Sequence, residues 1–284
     1  MNVDEIGIIG AGTMGQGIAQ VCAQSGIDVA LRDVDASAVE GAMAAIGKRL
    51  ERLVDKSTIT AEERDAALGR ISGVTTLDGL ESIDLYIEAA TESPDFKRKI
   101  FQELDAHGHP QAILASNTSS ISLSKIAACT NRPAQVVGMH FFNPVPVMKL
   151  VEIVRALQTS DETYQTVRAL VERLGKSPVS VADSPGFAVN RMLVPMINEA
   201  VFALAEGVAT AEEIDTAMRL GANHPMGPLA LADLIGLDVC LYVMDVLRTE
   251  FADSKYRACP LLRKMVDAGY LGRKSGRGFF EYGD

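Results

Sequence analysis

IGIIGAGTMGQGIAQ, residues 6 to 20, decides the fold. A short apolar run of strand length leads into Gly10-Ala11-Gly12-Thr13-Met14-Gly15, and an amphipathic stretch of helical spacing follows. Glycines spaced G-x-G-x-x-G also mark ordinary turns. Between a strand and a helix they are the fingerprint of a dinucleotide-binding loop. Gly10 permits the tight turn, Gly12 lets backbone approach a pyrophosphate, and Gly15 lets helix and strand pack closely. The helix N-terminus offers amide donors and the positive end of its dipole to phosphates. The next strand-like run, Val29-Ala30-Leu31-Arg32-Asp33, ends in an acid. A carboxylate there accepts from both ribose hydroxyls and repels a 2′-phosphate, so the reading favours NAD over NADP. Arg32 pulls the other way, because an arginine can pair with such a phosphate.

Outward from this loop, short runs rich in Ile, Val and Leu alternate with longer amphipathic stretches. Residues 6–9, 29–32, 85–88, 113–116 and 136–140 read as strands; 14–25, 36–56, 95–106 and 122–129 read as helices. Such alternation predicts βαβ units around a mainly parallel sheet. Two more strands, 150–155 and 177–182, flank a helix over 161–174. After Pro185-Gly186 apolar residues recur only at helical spacing, as at Leu193, Ile197, Val201 and Leu204. The expected architecture is α/β: a Rossmann-like domain over 1–184, then an all-helical domain over 185–284.

Net charge is −10 with 23% charged and 48% hydrophobic residues, which suits a globular protein and argues against nucleic acid as a partner. No long apolar run escapes interruption by charge, so no membrane span is expected. The acidic N-terminus lacks the pattern of a secretory signal. The four cysteines and four histidines show no metal-ligand spacing. The expectation is a cytoplasmic protein that holds no metal.

Seven blocks in order carry a resemblance: GIIGAGTMGQGIAQ, EAATE, SNTSS, GMHFFNPVPVMKLVE, DSPGFAVNR, GANHPMGPLALADLIGLD and GYLGRKSGRGFFEY. With them the chain resembles, over essentially its full length, the short-chain L-3-hydroxyacyl-CoA dehydrogenases, in particular their bacterial members. The resemblance implies NAD-dependent interconversion of (S)-3-hydroxybutyryl-CoA and acetoacetyl-CoA in fatty-acid metabolism, by a homodimer joined through the helical domain. It places the catalytic histidine on His140 and its partner on Glu152, with Ser119, Asn143 and Asn190 lining the site. For the cofactor it points to residues 10–15, Asp33, Glu92, Lys97 and Lys274, with Ser119 and Asn143 near the nicotinamide; for the acyl-CoA it points to Arg49 and Lys56.

The residues support this chemistry independently. Turning a secondary alcohol into a carbonyl releases a proton, and histidine exchanges protons near neutrality. A carboxylate on the other ring nitrogen fixes the tautomer and stabilises the imidazolium. His140 closes a strand, and Asn143-Pro144-Val145-Pro146 turns the chain so that Glu152 returns on an antiparallel neighbour. In SNTSS, Ser119 donates to the substrate oxygen and Asn190 polarises it, although the same run reads equally as an N-cap cluster. Lys48, Arg52 and Lys56, with Arg49 adjacent, make a basic stripe fit for the phosphates of CoA, or a solvated face balanced by Glu51 and Asp55. His224, before Pro225, reads as helix entry and stays outside the site. Two other functions share the pattern: a dehydrogenase of a free hydroxy acid such as L-gulonate, and a non-catalytic, crystallin-like nucleotide binder.

Overall fold

The computed structural model describes residues 2–283, in two compact units that meet between Ser184 and Pro185. The first unit runs β1 (Glu5–Ile9), α1 (Thr13–Gln24), β2 (Asp28–Arg32), α2 (Ala36–Asp55), α3 (Ala61–Gly69), β3 (Ile71–Val74), β4 (Leu85–Glu88), α4 (Pro94–His107), β5 (Ile113–Ser116), α5 (Leu123–Ala127), β6 (Val136–Phe141), β7 (Leu150–Arg155), α6 (Asp161–Arg173) and β8 (Ser177–Ala182). One sheet holds all eight strands in the order β3-β2-β1-β4-β5-β6-β7-β8. Neighbours are parallel except β6 and β7. The first six strands thus have the doubly wound order in which ligands bind where the order reverses, beside β1 and β4.

Every residue of β4, β5 and β6 is buried, as expected for strands covered on both faces. Ile18 and Cys22 of α1 and Ala42, Ile46 and Leu50 of α2 are fully enclosed and join Ile6, Ile8, Val29 and Leu31 in one core. The recurrence of these helix positions every four residues gives each helix one apolar stripe to bury against the sheet.

Two elements are absent from the sequence reading. Strand β3, Ile-Ser-Gly-Val, is four residues long and buries only Ile71. Helix α3 buries only Ala67, although Thr60 and Glu63 form a reciprocal capping box at its start. Neither has a periodic apolar pattern to announce it.

The second unit is built from α7 (Val189–Ala205), α8 (Ala211–Gly221), α9 (Pro228–Ile235), α10 (Leu237–Phe251) and α11 (Pro260–Asp267). Ile197, Leu229, Leu237, Met244 and Leu262 are fully buried in its own core. Its only sheet-like pairing among the described residues is a pair of isolated bridges, Gly272 with Arg277 and Arg277 with Glu281. Asp215, buried, accepts from the amides of Leu229 and Ala230 and so caps α9. A Cβ at Gly227 would lie 2.1 Å from that carboxyl carbon, which is why glycine stands in the helix-entry stretch after His224.

Candidate active site

At the reversal point lies a cavity of about 670 Å³, within the size range of small-molecule sites. Gly10, Gly12 and Met14 border it after β1, Asp33 after β2, and Ala89 and Ala90 after β4. Gly10 has φ +112°, and a Cβ there would lie 2.7 Å from the Ala89 carbonyl oxygen. A Cβ at Gly15 would lie 1.8 Å from the Gly10 carbonyl oxygen, so a side chain at either position would force the loop open. Gly12 has open space on its Cβ side and caps α1 without a side chain, while Thr13 opens the helix. Asp33 Oδ2 accepts from the Ala11 amide at 2.9 Å, tying the end of β2 to the glycine loop. A carboxylate has lone pairs beyond that bond for ribose hydroxyls. Arg32 is 9% exposed and stands 3.6 Å from Glu103 of α4. A cradle that side chains would fill, a helix N-terminus and a carboxylate after β2 together fit a dinucleotide.

A charged cluster, most of it enclosed, flanks the cavity-lining residues Ala89, Ala90 and Thr91. Glu88, the last residue of β4, is 0% exposed and Lys97 of α4 is 1% exposed. Lys97 Nζ donates to both Glu88 oxygens at 2.7 and 2.8 Å and stands 3.2 Å from Glu92. Glu88 also accepts from the Ala90 amide and the Ser116 hydroxyl. Glu92 accepts from the hydroxyls of Thr118 and Ser120 and the amides of Ser119 and Ser120. Burial alone would raise the Glu92 carboxyl, but the Lys97 charge and these donors outweigh it and hold it below its ordinary value. Lys97, expected as a cofactor contact, lies enclosed against Glu88.

His140 and Glu152 face each other directly across the antiparallel β6–β7 ladder. Residues so opposed share a sheet face, and Nδ1 of His140 meets Glu152 Oε2 at 2.7 Å. Both are buried, and Phe142 packs a tilted ring 4.5 Å from the imidazole. The turn between the strands is held from behind. Lys176 Nζ donates to the carbonyls of Val145 and Met148, and burial pulls its ammonium below the ordinary lysine value. A Cβ at Gly17 would lie 2.8 Å from that of Val145, so the nucleotide helix packs closely on this turn. Asn117 Oδ1 accepts from the Phe141 amide and links the SNTSS run to the end of β6.

Ser119 is half-buried on that run, and its amide is bound to Glu92. The N-cap of α5 is instead Ser122, whose hydroxyl accepts from the Lys125 amide, with Asp183 accepting from the amides of Leu123 and Ser124. The cap of α5 therefore falls on Ser122, beyond the SNTSS run, and leaves Ser119 out of it. Asn143 is exposed in the two-proline turn. On α2, Arg49 turns toward α1, donating to Gln20 and Gln16, and burial lowers its pKa. Lys56 is exposed at the helix C-cap, and Glu51 pairs with Arg64 of α3. In the second unit, Asn190 lies in the first turn of α7 and Lys274 pairs with Asp238 at 2.7 Å. Among the described residues no three His, Cys, Asp or Glu side chains come together as metal ligands, and no helix is long and apolar enough to cross a membrane.

The sequence reading passed over Glu88, Asn117 and Lys176. Lys97 had a signal: with Ile100, Phe101 and Leu104 it occupies the i, i+3, i+4, i+7 stripe of α4, all of it buried. A lysine heading an apolar stripe requires a buried carboxylate, and Glu88 ends the preceding strand.

The sequence matches the family described as 3-hydroxyacyl-CoA dehydrogenase, NAD binding domain, over residues 5–184, and the C-terminal domain of the same family over 186–282. The chain belongs to the 3-hydroxyacyl-CoA dehydrogenase family and is an NAD-binding oxidoreductase. It is 53% identical to a 3-hydroxybutyryl-CoA dehydrogenase of Bradyrhizobium diazoefficiens, over 99% of this chain and 96% of that protein. A probable 3-hydroxybutyryl-CoA dehydrogenase of Bacillus subtilis is also 53% identical, over 99% and 98% of the two chains. The crystal structure of (S)-3-hydroxybutyryl-CoA dehydrogenase from Ralstonia eutropha is 55% identical, covers all of both chains and superposes with a TM-score of 0.97.

Proposed function

We propose that this chain interconverts (S)-3-hydroxybutyryl-CoA and acetoacetyl-CoA, using His140 as acid and base and Glu152 as its partner. The observation that carries the reading is the enclosed 2.7 Å contact of His140 Nδ1 with Glu152 at the carboxyl end of β6. When bound, the dinucleotide accepts or supplies the hydride. His140 takes the hydroxyl proton as the alcohol becomes a ketone and returns it in reduction. With Nδ1 engaged by Glu152, the exchange falls to Nε2, and the carboxylate stabilises the imidazolium that forms. Ser119 donates to the substrate oxygen, which gains negative charge as the ketone is reduced. For Asn143, Asn190 and Lys274 the reading rests on the resemblance alone.

Asp33 gives the cofactor site a negative charge where a 2′-phosphate would sit, and Arg32 is drawn toward Glu103, so NAD is preferred to NADP. Arg49 keeps one guanidinium nitrogen, Nη2, buried without a hydrogen-bond partner, and Lys56 is exposed on the same helix. Both support an anionic acyl-CoA as substrate. Met192, Val208, Leu220 and Leu234 are exposed apolar side chains of the second unit, of the kind a homodimer interface would cover. The free cysteines fit a reducing cytoplasm, and the place in fatty-acid metabolism rests on the resemblance.

Steady-state assays of the purified protein with acetoacetyl-CoA and with the oxidised form of L-gulonate, each with NADH and with NADPH, test substrate and cofactor together. Turnover of acetoacetyl-CoA with NADH at a kcat/KM at least about tenfold above the other combinations is expected. Preference for the free acid would overturn the CoA reading.

A further inference from the structure

The turn that joins β6 to β7 is an exposed stretch with little packing of its own. Of residues 143–149 Val145 alone is buried, while Val147 and Met148 stand exposed. Within the turn the amides of Val147 and Met148 both donate to the Pro144 carbonyl. Three more of its carbonyls are met from one place, the start of β8. Lys176 Nζ donates to Val145 and Met148 at 2.7 and 2.8 Å, and the Ser177 amide donates to Lys149 at 2.7 Å. The Val145 side chain is taken by α1, where a Cβ at Gly17 would lie 2.8 Å from that of Val145 and 3.7 Å from Cδ of Pro146.

An exposed turn drifts unless something outside it fixes its backbone. An ammonium presents three donors from a single point, so it can serve two converging carbonyls, which a hydroxyl with one donor cannot. Lys176 is buried, and enclosing a charge is costly unless its donors are engaged. Displacement of the turn would strip two charge-assisted hydrogen bonds from that ammonium at once. Lys176 thus ties the turn to β8, and Val145 seated on Gly17 ties it to α1. Gly17 lies about one helical turn beyond Thr13 and Met14, which border the cofactor cavity. His140 and Glu152 stand on the two strands that the turn joins.

We propose that Lys176 is a positioning residue which, with Val145 seated on Gly17, registers the β6–β7 turn against the nucleotide-binding helix and so sets His140 relative to the bound nicotinamide. Lys176 acts on the reaction through the turn and exchanges no proton with the substrate. The inference rests on His140 being the acid and base.

The test compares Lys176→Met and Gly17→Ala with the parent chain. NADH titration gives the number of binding sites and their affinity, and steady-state assays give KM for acetoacetyl-CoA and kcat per NADH site. Counting turnover per site removes any loss of folded protein from the comparison. Lys176→Met keeps a chain of similar length and removes both donors. Its kcat per site should fall by about 10- to 100-fold, the scale of a small misplacement of a reacting group, with KM and NADH affinity held within about threefold. Gly17→Ala leaves Lys176 intact and pushes the same turn away from α1, at a helix position where alanine is favoured. It should lower kcat per site by about three- to tenfold, and it carries the test by itself if Lys176→Met does not fold. Turnover per site within about twofold of the parent in either variant, or a loss carried by KM or NADH affinity alone, would overturn the proposal. Parent-like kcat in His140→Gln would overturn the reading on which it rests. A slow His140→Gln beside an unchanged Lys176→Met would remove the positioning role alone.

Discussion

Two buried carboxylates of one sheet, Glu88 at the end of β4 and Glu152 within the oppositely directed β7, each meet a nitrogen at 2.7 Å, yet their partners differ in kind. Glu152 faces an imidazole, and Glu88 faces an ammonium. Both acids are 0% exposed, so burial does not distinguish them. The difference lies in the partner. An imidazole gains and loses a proton near neutrality, and the carboxylate beside it steadies whichever form is present. A lysine enclosed beside two acids donates to Glu88 and stands 3.2 Å from Glu92, and hydrogen bonds to Ala90 and Ser116 radiate from the pair. The means of assembly differ too. His140 and Glu152 are brought together by one hairpin and its register, whereas Glu88 and Lys97 join a strand to the helix that follows it.

Variants that neutralise one side of each pair should therefore fail differently. Glu152→Gln keeps its shape and a hydrogen-bonding oxygen or nitrogen but loses the charge that supports an imidazolium. Its kcat should fall by roughly 10²- to 10³-fold, with urea stability changed little by comparison. An equal loss in both would make Glu152 structural and erase the contrast. Lys97→Met should show the reverse emphasis, a loss of about 3–5 kcal/mol in urea unfolding, because it strands Glu88 with no opposing charge. Adding Glu88→Gln to Lys97→Met removes the stranded charge and should recover most of that stability in the same measurement. A double variant as unstable as Lys97→Met alone would mean that lost packing, not charge, dominates the site.

How much of this was legible in the sequence follows the same divide. The α/β class was legible because β1, β4, β5 and β6 are continuous apolar runs and the glycine loop sits between a strand and a helix. The facing of His140 and Glu152 was within reach because the two lie on consecutive strands joined by a short turn, where period-two pleating sets which side chains meet. The buried cluster was less so. Glu88, Lys97 and Ser116 come from a strand, a helix and a further strand, and only the closing of the sheet brings them together. Lys97 was hidden by its type, since a lysine is read as a surface residue or a ligand contact unless its place on the apolar stripe of α4 is weighed. Arg49 was hidden by direction: its neighbour Lys48 is exposed, while its own guanidinium turns to the glutamines of α1. Strand β3 and helix α3 carried too few buried residues to show a period at all.

The central claim is that His140 exchanges the proton while other residues hold the cofactor. The most direct measurement is kcat with acetoacetyl-CoA beside NADH affinity by titration, on purified His140→Gln. The account predicts a kcat lower by about 10²- to 10⁴-fold with NADH bound as tightly as in the parent chain. A kcat within a few-fold of the parent would contradict it.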